Sequence, residues 1–103
     1  MLLLKVKDKE YTLRLTARHL RDLEYREKKS ILSMFNKLEE ISLIEPFIKI
    51  IHAALIKNHP ELKLDDVYDL YDDLVEYENY NTDKLQKLVE DIMSTAGLTM
   101  GAE

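Results

Sequence analysis

The sequence contains no cysteine and no tryptophan, and only two glycines and two prolines in 103 residues. The absence of cysteine excludes disulfides, iron–sulfur clusters and thiol catalysis. Both glycines, Gly97 and Gly101, lie near the end of the chain, so no phosphate-binding glycine loop is present. So few glycines and prolines also argue against an all-β fold, which needs many turns.

Long apolar runs are also missing. No run approaches the roughly 18 residues that a membrane-spanning helix needs. The opening residues, Met1–Lys5, reach a charged side chain too soon for a signal peptide. We therefore expect a soluble, intracellular protein that has no contact with a membrane.

Acidic side chains outnumber basic ones, 20 to 15, which gives a net charge of −5. Residues 1–30 carry nine basic and five acidic groups, whereas residues 31–103 carry six basic and fifteen acidic groups. An acidic body does not attract a polyanion, so we expect no nucleic-acid partner. The two halves of opposite sign suggest that copies of the chain could meet head to tail as a homo-oligomer.

The first segment, residues 2–15, alternates apolar and polar side chains and is rich in β-favouring residues. This period of two predicts a β-hairpin, with Asp8-Lys9 as its short turn. A two-stranded ribbon is only marginally stable in water. The hairpin must therefore pack on helices or pair its open edge with another chain.

From Thr16 onward the pattern is helical. Thr16 can cap a helix over about 17–29, and Ser30 can cap the next, whose apolar stripe is Ile31, Met34, Phe35, Leu38 and Ile41. Whether these two helices are continuous stays open at this stage. Ser42 and Glu45 have capping-box spacing before Pro46, and the following helix, to about Asn58, is apolar nearly all round. We predict that this is the central, buried helix.

Two further amphipathic segments complete the domain. Asp65 and Asp66 fit the first turn of a fourth helix, residues 78–81 form a loop, and Asn81 can cap a last helix that Gly97 ends. The sequence thus predicts one mainly α domain over 1–98, with four or five helices and an N-terminal hairpin. Residues 99–103 are expected to be a flexible tail.

No group of residues predicts catalysis or a cofactor. The carboxylates of the fourth helix could suit Mg²⁺ or Ca²⁺, but their spacing matches no known loop and favours a solvated face; they are Asp65, Asp66, Asp69, Asp72, Asp73 and Glu76. His19, His52 and His59 lie in no triad or zinc pattern, and a structural role is expected for each. We predict a protein that is not an enzyme.

Tyrosines are concentrated in one stretch, which holds Tyr68, Tyr71, Tyr77 and Tyr80. They can belong to the core, or they can form a partner-binding face, since tyrosine joins a large apolar area to a polar tip. Both interpretations stay open. The apolar residues Leu98 and Met100, near the end of the chain, are a second candidate contact.

The order of these segments resembles the small tail assembly chaperones of long-tailed bacteriophages and prophages. The resemblance covers about residues 2–98 and is carried by Leu13-Arg14-Leu15-Thr16, Leu20-Arg21-Asp22-Leu23-Glu24, Ile50-Ile51-His52-Ala53-Ala54-Leu55, Asn58-His59-Pro60-Glu61-Leu62, Asp66-Val67-Tyr68-Asp69-Leu70 and Ser94-Thr95-Ala96-Gly97-Leu98. One departure is Lys28-Lys29-Ser30, where such chains usually have a Gly-Asn-like break after the first helix.

The resemblance implies a non-catalytic chaperone in the cytoplasm of the host bacterium. It would bind the tape measure protein, keep it soluble while tail tube protein assembles around it, and be absent from the mature virion. A helix-turn-helix DNA-binding regulator and a structural phage adaptor are the alternatives. For partner contact we predict Tyr68, Tyr77, Tyr80, Leu98 and Met100, to which no family motif assigns a role.

Overall fold

A computed structural model describes residues 2–36 and 44–98 of the chain. The elements, in chain order, are β1 (Leu2–Val6), β2 (Lys9–Leu13), α1 (Ala17–Glu27), α2 (Ile31–Asn36), α3 (Glu45–Leu55), α4 (Leu64–Glu78) and α5 (Thr82–Thr95). The two strands form one antiparallel hairpin. The predicted fold class, a mainly helical domain with an N-terminal hairpin, is confirmed.

The hairpin turn lies one residue earlier than the sequence predicted. Val6 pairs with Lys9, so the turn is Lys7-Asp8 and not Asp8-Lys9. Lys7 takes the left-handed conformation (φ 57°), and its N–H donates a hydrogen bond of 2.9 Å to Glu78 Oε2 in α4. The predicted turn was wrong because this distant carboxylate helps to fix the turn. The strands also end at Leu13, short of the predicted 15.

The outer edge of β2 is bonded to the rest of the domain near the C-terminal end of the strand. The N–H of Arg14 donates to the carbonyl of Ala54 at 2.9 Å, and the N–H of Thr12 donates to His59 Nε2 at 3.0 Å. Because Nε2 accepts this bond, the His59 ring carries its proton on Nδ1. The ring also meets Tyr11 edge-on, with 5.3 Å between centroids. The hairpin therefore packs against the C-terminal end of α3.

Helices α1 and α2 are separate, which answers the question that the sequence left open. Thr16 caps α1, as predicted, by accepting a bond of 3.1 Å from the N–H of His19. Lys28 then takes a left-handed conformation (φ 57°) and ends α1 two residues before the predicted boundary. A left-handed residue after the last helical turn closes that turn, here without the usual glycine.

The joint between α1 and α2 is closed by two side chains. Ser30 caps α2, as predicted, because its Oγ accepts a bond of 3.1 Å from the N–H of Ser33. The carboxylate of Glu24 reaches across from α1 and accepts a bond of 2.8 Å from the N–H of Ile31. A carboxylate at a helix N-terminus is favoured by the helix dipole.

Helix α3 is the central helix that the sequence predicted. It contacts β2 and all four of the other described helices. Seven of its eleven residues are buried: Phe47, Ile48, Ile50, Ile51, Ala53, Ala54 and Leu55. Pro46 lies in its first turn, as predicted, while the helix ends at Leu55 and not at Asn58. The predicted Ser42 cap and the stripe positions Leu38 and Ile41 fall outside the described residues.

The last two helices follow the predicted boundaries closely. Asn79 ends α4 in a left-handed conformation (φ 59°), and Asn81 Oδ1 caps α5 by accepting a bond of 2.9 Å from the N–H of Lys84. Gly97 (φ 83°) then reverses the chain so that the N–H of Leu98 bonds the carbonyl of Met93 at 3.0 Å. This is the glycine-ended C-terminal cap that the sequence predicted.

Lys49 links α3 to α1. Its Nζ lies 2.9 Å from Glu27 Oε1 and 3.5 Å from Glu45 Oε2, and its side chain is 22% exposed. The hydrogen bond to Glu27 raises the pKa of Lys49, and this outweighs the opposing effect of burial. A raised pKa in the folded state means that the ion pair stabilises the fold below the ordinary lysine pKa. That stabilisation is lost as the pH rises through the folded-state pKa.

Replacement of Lys49 tests this link. We expect Lys49→Met to lower the free energy of unfolding by about 0.5–1.5 kcal/mol at neutral pH. The difference from the unsubstituted chain should shrink as the pH is raised above 10.5, the ordinary lysine value. Urea denaturation at several pH values measures this, with the exposed Lys57→Met as control. A loss that is independent of pH would mean that packing, and not charge, is responsible.

Across the described part of the chain, no helix is both long enough and apolar enough to cross a membrane.

Candidate protein-binding surface

The outer edge of strand β1 has no hydrogen-bond partner among the residues that the structure describes. N–H directions alternate along an antiparallel strand, and the N–H groups of Thr12 and Arg14 point outward, away from β1. The hydrogen bonds between β1 and β2 therefore join the residue pairs that alternate with Leu3–Thr12. Those pairs are Leu2–Leu13, Leu4–Tyr11 and Val6–Lys9. The N–H and C=O groups of Leu3 and Lys5 thus point away from β2. Within residues 2–36 and 44–98, no protein group bonds them.

A groove of about 330 Å³ runs between this edge and α5, and we call it the edge groove. Its lining residues are Leu2, Leu3, Tyr80, Asp83, Lys84, Lys87, Leu88 and Asp91. Leu3 is 46% exposed, Tyr80 is half-buried and Leu88 is 5% exposed. These side chains give the groove an apolar interior that lies directly beside the unpaired backbone of β1.

The charged side chains around the groove are largely held by the protein itself. Lys87 Nζ lies 2.8 Å from Asp91 Oδ1, and this hydrogen bond raises the pKa of Lys87, which keeps it charged. Lys84 Nζ donates to the Glu78 carbonyl at 3.2 Å and lies 5.8 Å from the centre of the Tyr80 ring.

Tyr80 provides the polar group inside the groove. Burial raises its pKa, and the nearby carboxylates of Glu78 and Asp91 raise it further. The phenol therefore stays neutral and can both donate and accept a hydrogen bond. The edge groove combines apolar area, one neutral hydroxyl and a charged rim, which is the composition of a protein-binding site.

The far end of the β1 edge is closed by α4. The N–H of Lys7 is bonded to Glu78, its Nζ lies 4.4 Å from the centre of the Tyr77 ring, and Asp73 Oδ2 lies 4.0 Å from the same Nζ. A ring face attracts a cation, so Tyr77 and Lys7 hold each other in place. The open part of the edge is therefore limited to Leu3 and Lys5.

The structure brings some of the predicted contact residues together and separates others. Tyr80 lines the edge groove, and Tyr77, which is 50% exposed, lies at the closed end of the same edge. Tyr68 is half-buried against the core and lies about two and a half helical turns from Tyr77, on another side of α4. Leu98 packs half-buried after α5, and Met100 falls outside the described residues. Partner contact through any of them stays a prediction.

Sequence reasoning missed Leu3 and Leu88 as candidate contacts. Leu3 belongs to an unbroken Leu2-Leu3-Leu4 run, and strand alternation places it opposite the buried Leu4. That signal was available from the sequence. Leu88 lies within the apolar stripe of α5, and nothing in the sequence separates it from the core residues of that stripe.

Each of the three histidines forms a hydrogen bond within the protein. His19 Nδ1 lies 3.0 Å from Thr16 Oγ1, His52 Nε2 lies 3.1 Å from the Leu62 carbonyl, and His59 accepts from Thr12. Among the described residues, no group of three or more His, Asp or Glu side chains is placed to hold a metal ion. The carboxylates of α4 thus form no such group, and five of the six are exposed.

Other surface features are less suited to binding a polypeptide. Tyr25, Leu32 and Val75 are exposed on separate helices. A second groove, of about 430 Å³, is lined by residues that include Leu13, Arg14 and Lys57, but the N–H groups of Thr12 and Arg14 beside it already have protein partners. At the edge groove, exposed apolar side chains and unpaired backbone groups lie together, so we take it as the candidate site.

Comparisons of the chain with models of known protein families, with curated proteins and with solved structures found no match.

Proposed function

We propose that this protein is a non-catalytic chaperone of phage tail assembly that binds the tape measure protein and keeps it soluble while the tail tube forms. The proposal rests on the resemblance of residues 2–98 to that family, described above. The structural observation that supports it is the edge groove beside the unpaired β1 edge. Such a surface can hold another polypeptide without any chemistry.

A tape measure protein is long and helical, and it exposes an apolar stripe until the tube encloses it. Covering that stripe prevents aggregation. One small domain buries little area, so many copies along one partner would be needed, and avidity would add their weak contacts together. The half-exposed Leu3 and the nearly buried Leu88 both line the edge groove and give each copy an apolar contact.

Co-expression tests this function. We expect the tape measure protein encoded beside this chain to be more soluble when the two are produced together. Leu3→Glu should return its soluble fraction to the level found without the chain, since it places a charge in the apolar contact. The matched control is Leu32→Glu, because Leu3 and Leu32 are 46% and 44% exposed.

Two outcomes would contradict the proposal at different points. If the unsubstituted chain leaves the solubility of the tape measure protein unchanged, the chaperone function is wrong. If Leu3→Glu works as well as Leu32→Glu, the binding surface lies elsewhere. Circular dichroism of both variants confirms that each is folded.

Mass spectrometry of purified particles distinguishes the chaperone from a structural adaptor. A chaperone should be missing from the finished virion, while an adaptor should be present in fixed stoichiometry. Detection of the chain in purified particles would favour the adaptor.

A further inference from the structure

We propose that the partner segment binds as an added β-strand on the open edge of β1, at Leu3 and Lys5, with alternate side chains inserted into the edge groove. This inference rests on the proposed function in taking the edge groove as the partner-binding surface. It adds that the segment in contact with this chain is held extended although the partner is otherwise helical, with apolar residues at every second position and a carboxylate beside Lys5.

The first support is the state of the backbone. Leu3 and Lys5 present two N–H and two C=O groups outward, and the described residues supply no partner for them. On the β2 side, the N–H of Thr12 is bonded to His59 and the N–H of Arg14, just after the strand, is bonded to Ala54. The fold thus occupies the β2 edge near Thr12 and leaves the β1 edge ready for four backbone hydrogen bonds.

The second support is the shape beside the edge. Side chains of an added strand alternate between the two faces of the sheet. Those on the inner face would point toward α5, into the groove that Tyr80 and Leu88 line. Those on the outer face would lie beside Leu3 and Lys5. A helix laid in the same groove would leave the four backbone groups without partners, which is costly once they are shielded from water.

The third support is charge. Lys5 is exposed, and no carboxylate among the described residues lies within ion-pair distance of it, although Glu10 is its neighbour across the hairpin. The two lysines that line the groove, Lys84 and Lys87, already bond protein oxygens. A carboxylate on the outer face of the added strand would therefore pair with Lys5.

The length of the paired segment is also limited. At Lys7 the N–H is taken by Glu78, and Tyr77 packs over the side chain. Pairing cannot continue past this point without displacing the end of α4. The added strand is therefore expected to pair only along the part of β1 that precedes Lys7. Selection among partner sequences then depends on the side chains that enter the edge groove.

Proline at position 5 tests the proposal directly. Because the N–H of Lys5 points outward, Lys5→Pro removes a donor from the open edge and leaves the β1–β2 bonds intact. Lys5→Gln is the matched control, which removes the charge but keeps the N–H. The probe is the tightest-binding peptide selected from a random library of peptides about a dozen residues long, with the full chain immobilised.

We expect the selected peptide to alternate apolar and acidic residues. Lys5→Pro should weaken its binding about tenfold or more, and Lys5→Gln should weaken it by a smaller factor. A second measurement needs no variant: on binding of the peptide, hydrogen exchange at the Leu3 and Lys5 amides should slow about tenfold or more.

The proposal is overturned if those amides stay unprotected, if Lys5→Pro binds as tightly as the unsubstituted chain, or if the library yields no binder. It is also overturned if the selected peptides carry apolar residues at helical spacing, a result that leaves the chaperone function standing. Failed co-expression together with edge-bound peptides would instead reject the tape measure partner and keep strand addition.

Discussion

Ile51→Ala is expected to lower the free energy of unfolding by about 3–4 kcal/mol, the largest effect of any substitution considered for this protein. Ile51 is 1% exposed in the middle of α3, and its side chain belongs to the single hydrophobic core of the described residues. Removing three carbon atoms there loses their burial and leaves a cavity that the surrounding helices cannot fully close. Urea denaturation measures the change.

The matched control is Val75→Ala in α4, at a side chain that is 44% exposed. A surface substitution of this kind should change the stability by less than about 0.5 kcal/mol. If the two variants are equally stable, α3 is not the centre of the core. A change in the denaturant slope for Ile51→Ala would show that the substitution also alters the compactness of the native or denatured state or breaks two-state unfolding.

Thr95→Val is expected to lower the free energy of unfolding by about 1–3 kcal/mol. Thr95 Oγ1 accepts a bond of 2.9 Å from the N–H of Leu15 and donates one of 2.6 Å to the Ile92 carbonyl. Leu15 is fully buried just after the hairpin, so valine would leave its N–H without a partner away from water. Valine keeps nearly the same volume, so the loss reports on hydrogen bonding.

Thr95→Ser separates the hydroxyl from the methyl group. Serine keeps the oxygen, so this variant should retain most of the stability that valine loses. Thermal and urea denaturation of both variants measure the difference. Destabilisation by serine but not by valine would contradict this account, because the methyl contact would then matter and the hydroxyl would not.

Much of the fold could be predicted from the sequence because its signals are local. Thr16, Ser30 and Asn81 each bond a backbone N–H three residues ahead, so a single short window contains both partners. The burial of α3 follows from its apolar residues on every side. The hairpin turn, which the sequence placed one residue too late, bonds a partner 71 residues away, at Glu78.

The candidate site was predictable only in part. The sequence suggested that the hairpin had an edge to pair and that Tyr77 and Tyr80 were candidate contacts, and the structure places both beside that edge. The sequence-based prediction grouped Tyr68 with them because the three lie in one tyrosine-rich stretch. Residues of such a stretch are spread around a helix, so Tyr68 lies apart from the other two. Leu3 and Leu88 come together only through the packing of β1 on α5.

The sequence by itself determined the hairpin, the amphipathic helices and their caps, since these depend on periodicity and on residues a few positions apart. Only the tertiary structure decided which edge of the hairpin stays open. His59 covers Thr12 from 47 residues away, and Glu78 closes the Lys7 end from 71 residues away. Hydrogen bonds over such separations form only when the helices are packed, and they leave Leu3 and Lys5 as the open edge of β1.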